Sequence, residues 1–380
     1  MKIVLSGVET NNKGAELMLY AILQAIEKKF PRAIVFIPGD RLFHRIDYIS
    51  TNLDFRIFPL DKFERRLHLL SIFSKFNIPY RFLPHNLLLG KIDYYLDGSG
   101  FAISDKFNIT DGLIKMWKSK LDNLYKQGSK IIFLPQAFGP FEKISTKKLF
   151  DVIIQYATLV MPREKVSLKY IEEAGFTNSE KIMMYTDFTS LVEGVLPQQY
   201  HNLRNGVCII PNRQMINKGA ITIDNYLDLL KSIILISKKS GRVVYILNHE
   251  GKKDEELCKE LQSLIPDEIR SVSGLNALEV KGLISTAYLV VSSRFHGVAS
   301  ALNTCVPCLA TSWSHKYEEL FRDYDMNDCV LPLDDLALSL EKISDYMEKE
   351  KNQSIRNQLN KKVPFIKEEA KEMWETIWNL

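Results

Sequence analysis

The stretch Val290-Val-Ser-Ser-Arg-Phe-His-Gly-Val-Ala-Ser-Ala-Leu-Asn-Thr-Cys-Val-Pro-Cys-Leu-Ala310 decides how this chain is read. An apolar run stops at Arg294 and His296, a helical segment of small residues starts at once, and a second apolar run follows Pro307. In an α/β protein that pattern is strand, turn, helix, strand. It places Arg294 and His296 where the first strand ends, the edge at which open α/β sheets receive ligands. The N-terminus of the next helix adds unpaired N–H groups and the positive end of a dipole, which suit a phosphate or carboxylate. Arginine offers an anion a two-pronged charge, and histidine offers a proton near neutral pH. The pattern points to an anionic ligand and to proton transfer. A capped helix with a surface arginine and a partly buried histidine fits the same letters.

Outward from this stretch, short β-branched runs alternate with longer amphipathic segments. Strands are expected at 3–6, 33–37, 92–96, 130–134, 158–161 and 181–185, then at 207–210, 242–247, 288–292 and 306–310. Helical patterns lie between them, among them 14–29, 113–127, 225–239 and 254–264. Such alternation implies parallel sheets covered on both faces. The periodicity breaks across 188–205, where Gly194, Pro197, Gln198, Gln199 and Asn205 fall close together. The expected fold is α/β, with two Rossmann-like domains whose parallel sheets face a central cleft. The expected domains are 1–190, on the acceptor side, and 206–350, on the donor side. A C-terminal helix, 351–380, would pack back on the first domain through Trp374, Ile377 and Trp378.

Composition narrows the function classes. A chain of 380 residues is long for one core, in keeping with two domains. Hydrophobic content of 46% with 25% charged residues is that of a globular protein. A net charge of +4 favours anionic ligands but is too small to suggest nucleic acid. No run approaches the ~20 apolar residues that span a bilayer, and the apolar start is too short for a signal peptide. The expected location is the cytoplasm. Five cysteines include the pair Cys305 and Cys308 in a CxxC spacing. No second pair completes a zinc set, so the cysteines read as reduced and structural, and no metal is expected.

Other expected strand ends carry polar side chains too. Asn12, Lys13 and Glu16 follow the first strand, and Asp97, Gly98 and Gly100 follow the strand at 92–96. Gln136 and then Arg163 close two further strands. In the second half Arg213, His249 and Lys316 take such positions, and Arg213, Arg294 and Lys316 would make a cationic ring. Singly each turn means little; together they suggest a built site. His249 and His315 read more simply as satisfied loop histidines. The segment 61–91 interleaves Lys62, Arg65, Arg66, Lys75, Arg81 and Lys91 with apolar residues. It reads either as a core helix with a solvated basic face or as a peripheral contact with the inner face of an anionic plasma membrane.

An ordered set of motifs resembles the polysaccharide pyruvyl transferase family. The set is Asn11-Asn-Lys-Gly-Ala-Glu16, Asp97-Gly-Ser-Gly100, Gln136-Ala-Phe-Gly-Pro140, Arg163-Glu-Lys-Val-Ser167, Tyr185-Thr-Asp187, Ser293-Arg-Phe-His-Gly297 and the stretch from Trp313 to Tyr317. The first reads Lys-Gly-Ala-Glu where many members have Leu-Gly-Asp-Glu, and the glycine motif lacks a run of three glycines. The resemblance implies a glycosyltransferase-B-type architecture and transfer of pyruvate from phosphoenolpyruvate, the donor substrate, onto a saccharide. The product would be a cyclic ketal with release of phosphate, as in capsule or exopolysaccharide biosynthesis, and no cofactor would be needed. The acceptor would be a cell-surface polysaccharide or its lipid-linked precursor. The resemblance gives Arg294 to phosphoenolpyruvate binding and His296 to general acid catalysis. Lys316 falls where the family tends to carry a lysine. Asp97 and Glu16 are candidate bases. Arg163, Arg213, Lys316, Gly297, Asn12, Gly98, Gly100 and Gln136 are candidate substrate contacts. A nucleotide-sugar glycosyltransferase of the same architecture, or a non-catalytic scaffold for polysaccharide assembly, would be the competing readings.

Overall fold

A computed structural model describes residues 1–38, 53–58, 90–177, 180–266, 268–312 and 316–380. Apart from Gly90 and Lys91, the basic-apolar segment 61–91 lies outside the described residues. The chain divides into two compact units. Unit 1 holds Met1–Asn11, Met18–Thr189 and Glu369–Leu380; unit 2 holds Asn12–Leu17 and Ser190–Glu368.

In chain order the first half carries β1 (Lys2–Ser6), α1 (Lys13–Lys29), β2 (Ile34–Pro38), β3 (Asp54–Phe58) and β4 (Tyr94–Asp97). It continues with α2 (Asp111–Lys126), β5 (Lys130–Gln136), α3 (Ile144–Tyr156), β6 (Leu159–Pro162) and α4 (Lys165–Glu173). The strands form a six-stranded sheet in the order β3-β2-β1-β4-β5-β6. Every pairing is parallel. Order reverses between β1 and β4, the switch point at which open sheets leave room for ligands. Strands β4 and β6 are buried along their length, as a sheet covered on both faces requires.

The second half carries β7 (Val207–Ile210), α5 (Gln214–Asn217), α6 (Ile223–Lys238), β8 (Val244–Leu247), α7 (Gly251–Ser263) and β9 (Arg270–Val272). Then come α8 (Ala277–Ser285), β10 (Leu289–Ser292), α9 (Phe295–Asn303), β11 (Cys308–Ala310), α10 (Lys316–Asp323), α11 (Leu336–Met347) and α12 (Lys349–Trp378). Its five strands run β11-β10-β7-β8-β9, again all parallel. Counted from β7 this repeats the arrangement of unit 1, and its switch point lies between β7 and β10.

Three differences from the sequence reading have physical causes. β3 and β9 are additional to the expected strands, because Asp54 and Arg270 open short segments that lack a long apolar run. The expected strand 181–185 supplies only an isolated bridge between Ile182 and Val160. The expected strand 306–310 narrows to Cys308–Ala310, because Cys305 takes a left-handed backbone (φ 57°) that ends α9. All five cysteines are free thiols. In unit 1, Trp378 packs edge-on against Phe30 and Tyr94, and Trp374 does so against Phe188. Among the described residues no helix is long and apolar enough to cross a membrane.

Candidate functional site

In unit 2 the polar side chains gather at the switch point between β7 and β10. The turn after β10 is fixed from several sides. Ser292 Oγ accepts from the Arg294 N–H and donates to the Arg294 carbonyl, both at 3.0 Å. Asn212, beyond the end of β7, donates to the Ser293 carbonyl at 2.7 Å, and Tyr317 of α10 donates to the same oxygen at 2.7 Å. Gly297 is buried against β10: a Cβ there would lie 2.4 Å from Ser292 Oγ. The glycine lets the first turn of α9 press onto the strand, which gives a packing reason for a residue named above as a candidate substrate contact.

Arg294 is the N-cap of α9, and its guanidinium already meets two carboxylates. Asp254 Oδ2 accepts from Nε at 2.8 Å and from Nη2 at 2.5 Å, and Glu250 Oε2 accepts from Nη1. Asp254 is 1% exposed, and its other oxygen accepts the backbone N–H of Arg213 at 2.9 Å. Burial pushes the Asp254 carboxyl up from the usual range, and Arg294 and the Arg213 N–H pull the other way. Arg213 turns its guanidinium towards Glu260, 4.0 Å away, and Lys316 opens α10. Two of the three members expected for a cationic ring, Arg213 and Arg294, thus face carboxylates of α7 and its N-cap.

His296 stands in the first turn of α9, partly buried, with its ring against Gly14. A Cβ on Gly14 would lie 2.1 Å from His296 Nδ1, closer than any side chain permits. The motif at the start of α1 therefore makes room for that ring. Asn12 Oδ1 caps the helix, accepting from the N–H groups of Gly14 and Ala15 at 2.9 and 3.1 Å, and Gly14 admits the imidazole. Glu16 is fully buried and paired with Lys13 at 2.7 Å. His249, at the end of β8, is 3% exposed, and its Nδ1 has no hydrogen-bond partner among the described residues. Burial first, then the charges of Arg294, His296 and Lys13, hold its imidazole well below the usual histidine range. It is a neutral ring among cationic groups rather than a satisfied loop histidine.

In unit 1, Asp97 ends β4 and is 1% exposed. Its Oδ1 accepts from the Ser99 N–H at 3.2 Å and from Gln136 Nε2 at 3.4 Å. Asp97 Oδ2 and Gln136 Oε1 are buried without a partner among the described residues. Two such acceptors side by side call for an explanation, and two ligand hydroxyls would satisfy them. Gly98 and Gly100 pack against Ile22 and Met18 of α1. Next to this pair, Lys120 donates to the Tyr95 hydroxyl and lies 4.3 Å from the Tyr95 ring centre and 4.7 Å from that of Trp117. Burial pulls its ammonium down to about 8, and the Asp97 charge partly restores it. Arg163 bonds to Asp187 at 3.3 Å and to Glu164 at 3.5 Å. Its N–H reaches the Gln136 carbonyl at 3.0 Å.

Asp254 and Lys120 are not among the residues that the sequence singles out, and Glu250 stands there only within the strand end Asn248-His249-Glu250. A signal exists for Asp254: it lies on the apolar stripe of α7 with Leu257, Cys258 and Leu261, all buried. A carboxylate on a core-facing stripe is a charge in need of a partner. Among the described residues no group of three His, Cys, Asp or Glu side chains could hold a metal ion.

Comparison with known proteins agrees with this architecture. The family model described as polysaccharide pyruvyl transferase matches residues 12–315. No curated protein matches the chain. Among solved structures, UDP-GlcNAc 2-epimerase from Neisseria meningitidis bound to UDP-GlcNAc superposes with a TM-score of 0.64 at 12% identity, covering 100% of both chains. An S. aureus MnaA–UDP co-structure gives 0.60 at 12% identity, covering 95% of this chain and 91% of that one. WaaG, a glycosyltransferase involved in lipopolysaccharide biosynthesis, gives 0.55 at 11% identity, covering 99% of each. At these identities the likeness is one of fold, the glycosyltransferase-B type.

Proposed function

Because the chain belongs to the polysaccharide pyruvyl transferase family, we propose that it moves pyruvate from phosphoenolpyruvate onto two hydroxyls of a saccharide, forming a cyclic ketal. The observation that carries this reading is the gathering of Arg294, His296, His249 and Lys13 about the N-terminus of α9, with Asp254 and Glu250 holding the arginine. Phosphoenolpyruvate brings a phosphate and a carboxylate, and a guanidinium beside a helix N-terminus suits both.

The chemistry starts at carbon. His296 gives a proton to the methylene carbon of phosphoenolpyruvate, and C2 becomes electrophilic. A positioned acid of near-neutral pKa contributes ~10²–10⁴ in rate. A saccharide hydroxyl adds to C2 and loses its proton to a base. The C2–O bond to phosphate breaks, with Arg294 taking up the charge on the departing oxygen. A second hydroxyl closes the ketal, and its proton leaves with the phosphate. Asp97 is the favoured base, since one of its oxygens lacks a partner among the described residues whereas Glu16 is committed to Lys13. Asp97 and Gln136 make unit 1 the acceptor side of this reading. Arg213 and Lys316 remain its secondary anion contacts, whereas Arg163 is tied to Asp187 and Glu164. The acceptor is a cell-surface polysaccharide or its lipid-linked precursor, met on the cytoplasmic side.

Thermal stabilisation by phosphoenolpyruvate, beside inorganic phosphate, UDP and GDP, tests the donor. A ligand at 100 times its Kd adds ~2.7 kcal/mol to the folded state. Stabilisation by phosphoenolpyruvate well beyond phosphate is expected. Stabilisation by a nucleotide alone would move the reading to glycosyl transfer, with Arg294 and His296 as diphosphate contacts.

A further inference from the structure

The two carboxylates on Arg294 are held in different ways. Asp254 is fully buried, takes the Nε and Nη2 edge of the guanidinium, and is anchored by the Arg213 backbone N–H. Glu250 is the N-cap of α7 and 23% exposed. One of its oxygens accepts from Arg294 Nη1, and the other accepts from Asn12 Nδ2 at 3.1 Å. A carboxylate gripped by a guanidinium on one oxygen and an amide on the other is bound as a small planar anion would be. Were Glu250 to swing outward, Arg294 and Asn12 would present the same two donors to an incoming anion.

We propose that the Glu250 carboxylate is an internal stand-in for the donor's anionic group, holding Asn12 and Arg294 in register until the donor displaces it. Asp254 keeps its grip on the guanidinium throughout, so the arginine stays aimed while one of its faces is exchanged. The inference rests on the reading of Arg294 as the donor's anion contact. A contact of this kind lowers apparent affinity by the fraction of molecules left open. If about one molecule in ten is open, the donor binds about tenfold more weakly than the site allows.

The test is calorimetric titration of the full chain with phosphoenolpyruvate, inorganic phosphate and UDP as separate probes. Glu250→Gln keeps the shape and removes the charge; Glu250→Asp keeps the charge and shortens the reach. Both are expected to bind phosphoenolpyruvate about tenfold more tightly than the unaltered chain, with KM moving more than kcat. Combining either with Arg294→Ala is expected to erase the gain. Unchanged or weaker phosphoenolpyruvate binding in both Glu250 variants, with the unaltered chain binding it, overturns the proposal and leaves the proposed function standing. A gain seen with UDP, and no binding of phosphoenolpyruvate, keeps the stand-in and overturns the pyruvyl donor. Absence of binding to all three probes in every variant overturns both.

Discussion

The turn at Arg163 and the turn at Arg294 are built alike and loaded differently. Each arginine closes a buried strand and leads into a helix, β6 into α4 in unit 1 and β10 into α9 in unit 2. Each guanidinium faces two carboxylates. Around Arg163 one carboxylate is its own neighbour Glu164, and the bonds are long, at 3.5 and 3.3 Å. Around Arg294 both come from the β8–α7 turn and the first turn of α7, and the contacts are short. Two residues further on, unit 1 has the exposed Lys165, whereas unit 2 has His296 set against Gly14. In the proposed reading, one device of the fold is a tie in one half and a seat for chemistry in the other.

The largest expected effect separates the residues two places beyond each arginine. His296→Ala should lower turnover ~10²–10⁴-fold while phosphoenolpyruvate still binds, and Lys165→Ala should stay within about twofold. Near-normal turnover in the His296 variant would remove the acid from the mechanism. Next come the arginines themselves. Replacing Arg294 by Ala together with Asp254→Asn, so that no buried carboxylate is stranded, should weaken phosphoenolpyruvate binding about a hundredfold by calorimetry. Arg163→Ala should instead lower the melting temperature by roughly 10 °C, because Asp187 and Glu164 lose the guanidinium that offsets their charge. An Arg163 variant that melts like the unaltered chain yet cannot turn over would show the two turns to be functional equals.

A smaller effect is expected at Gly14. Gly14→Ala should cost roughly ten- to a hundredfold in turnover by moving the imidazole, with the circular dichroism spectrum intact. Full activity would mean that the ring has another place to go. The smallest effect is a pH slope. A buried imidazole whose pKa is depressed supplies stability that is present above its unfolded value, about 6.5, and lost as pH falls below it. The loss approaches ~1.4 kcal/mol per pH unit. His249→Asn should flatten the fall in melting temperature between about pH 7 and pH 5; an unchanged slope would assign the acid sensitivity elsewhere.

Much of this is legible in the letters. The stretch around Arg294 carries its own signature, because an apolar strand, a charged turn and a small-residue helix leave few alternatives, and the structure places strand, turn and helix there. The alternation of strand and helix likewise points to the two parallel sheets. What stays hidden are partners that only the topology brings together. Glu250 and Asp254 lie 44 and 40 residues before Arg294, at the N-cap and in the first turn of α7, and no local spacing links them to it. Gly14 meets His296 across most of the chain, and no local pattern announces a ring seated on a glycine. Lys120 is similar: it lies against the rings of Trp117 and Tyr95, where the Tyr95 hydroxyl and the Asp97 charge support its ammonium.

Unit 1 takes its last segment, Glu369–Leu380, from beyond the whole of Ser190–Glu368. Trp374 and Trp378 then cover Phe30, Tyr94 and Phe188. On the ribosome the early half must therefore wait, with those rings uncovered, while the later half is made. At ~5–20 residues per second that wait lasts roughly 10–40 s. The order of synthesis thus makes the N-terminal half the one most exposed to chaperones and to premature association.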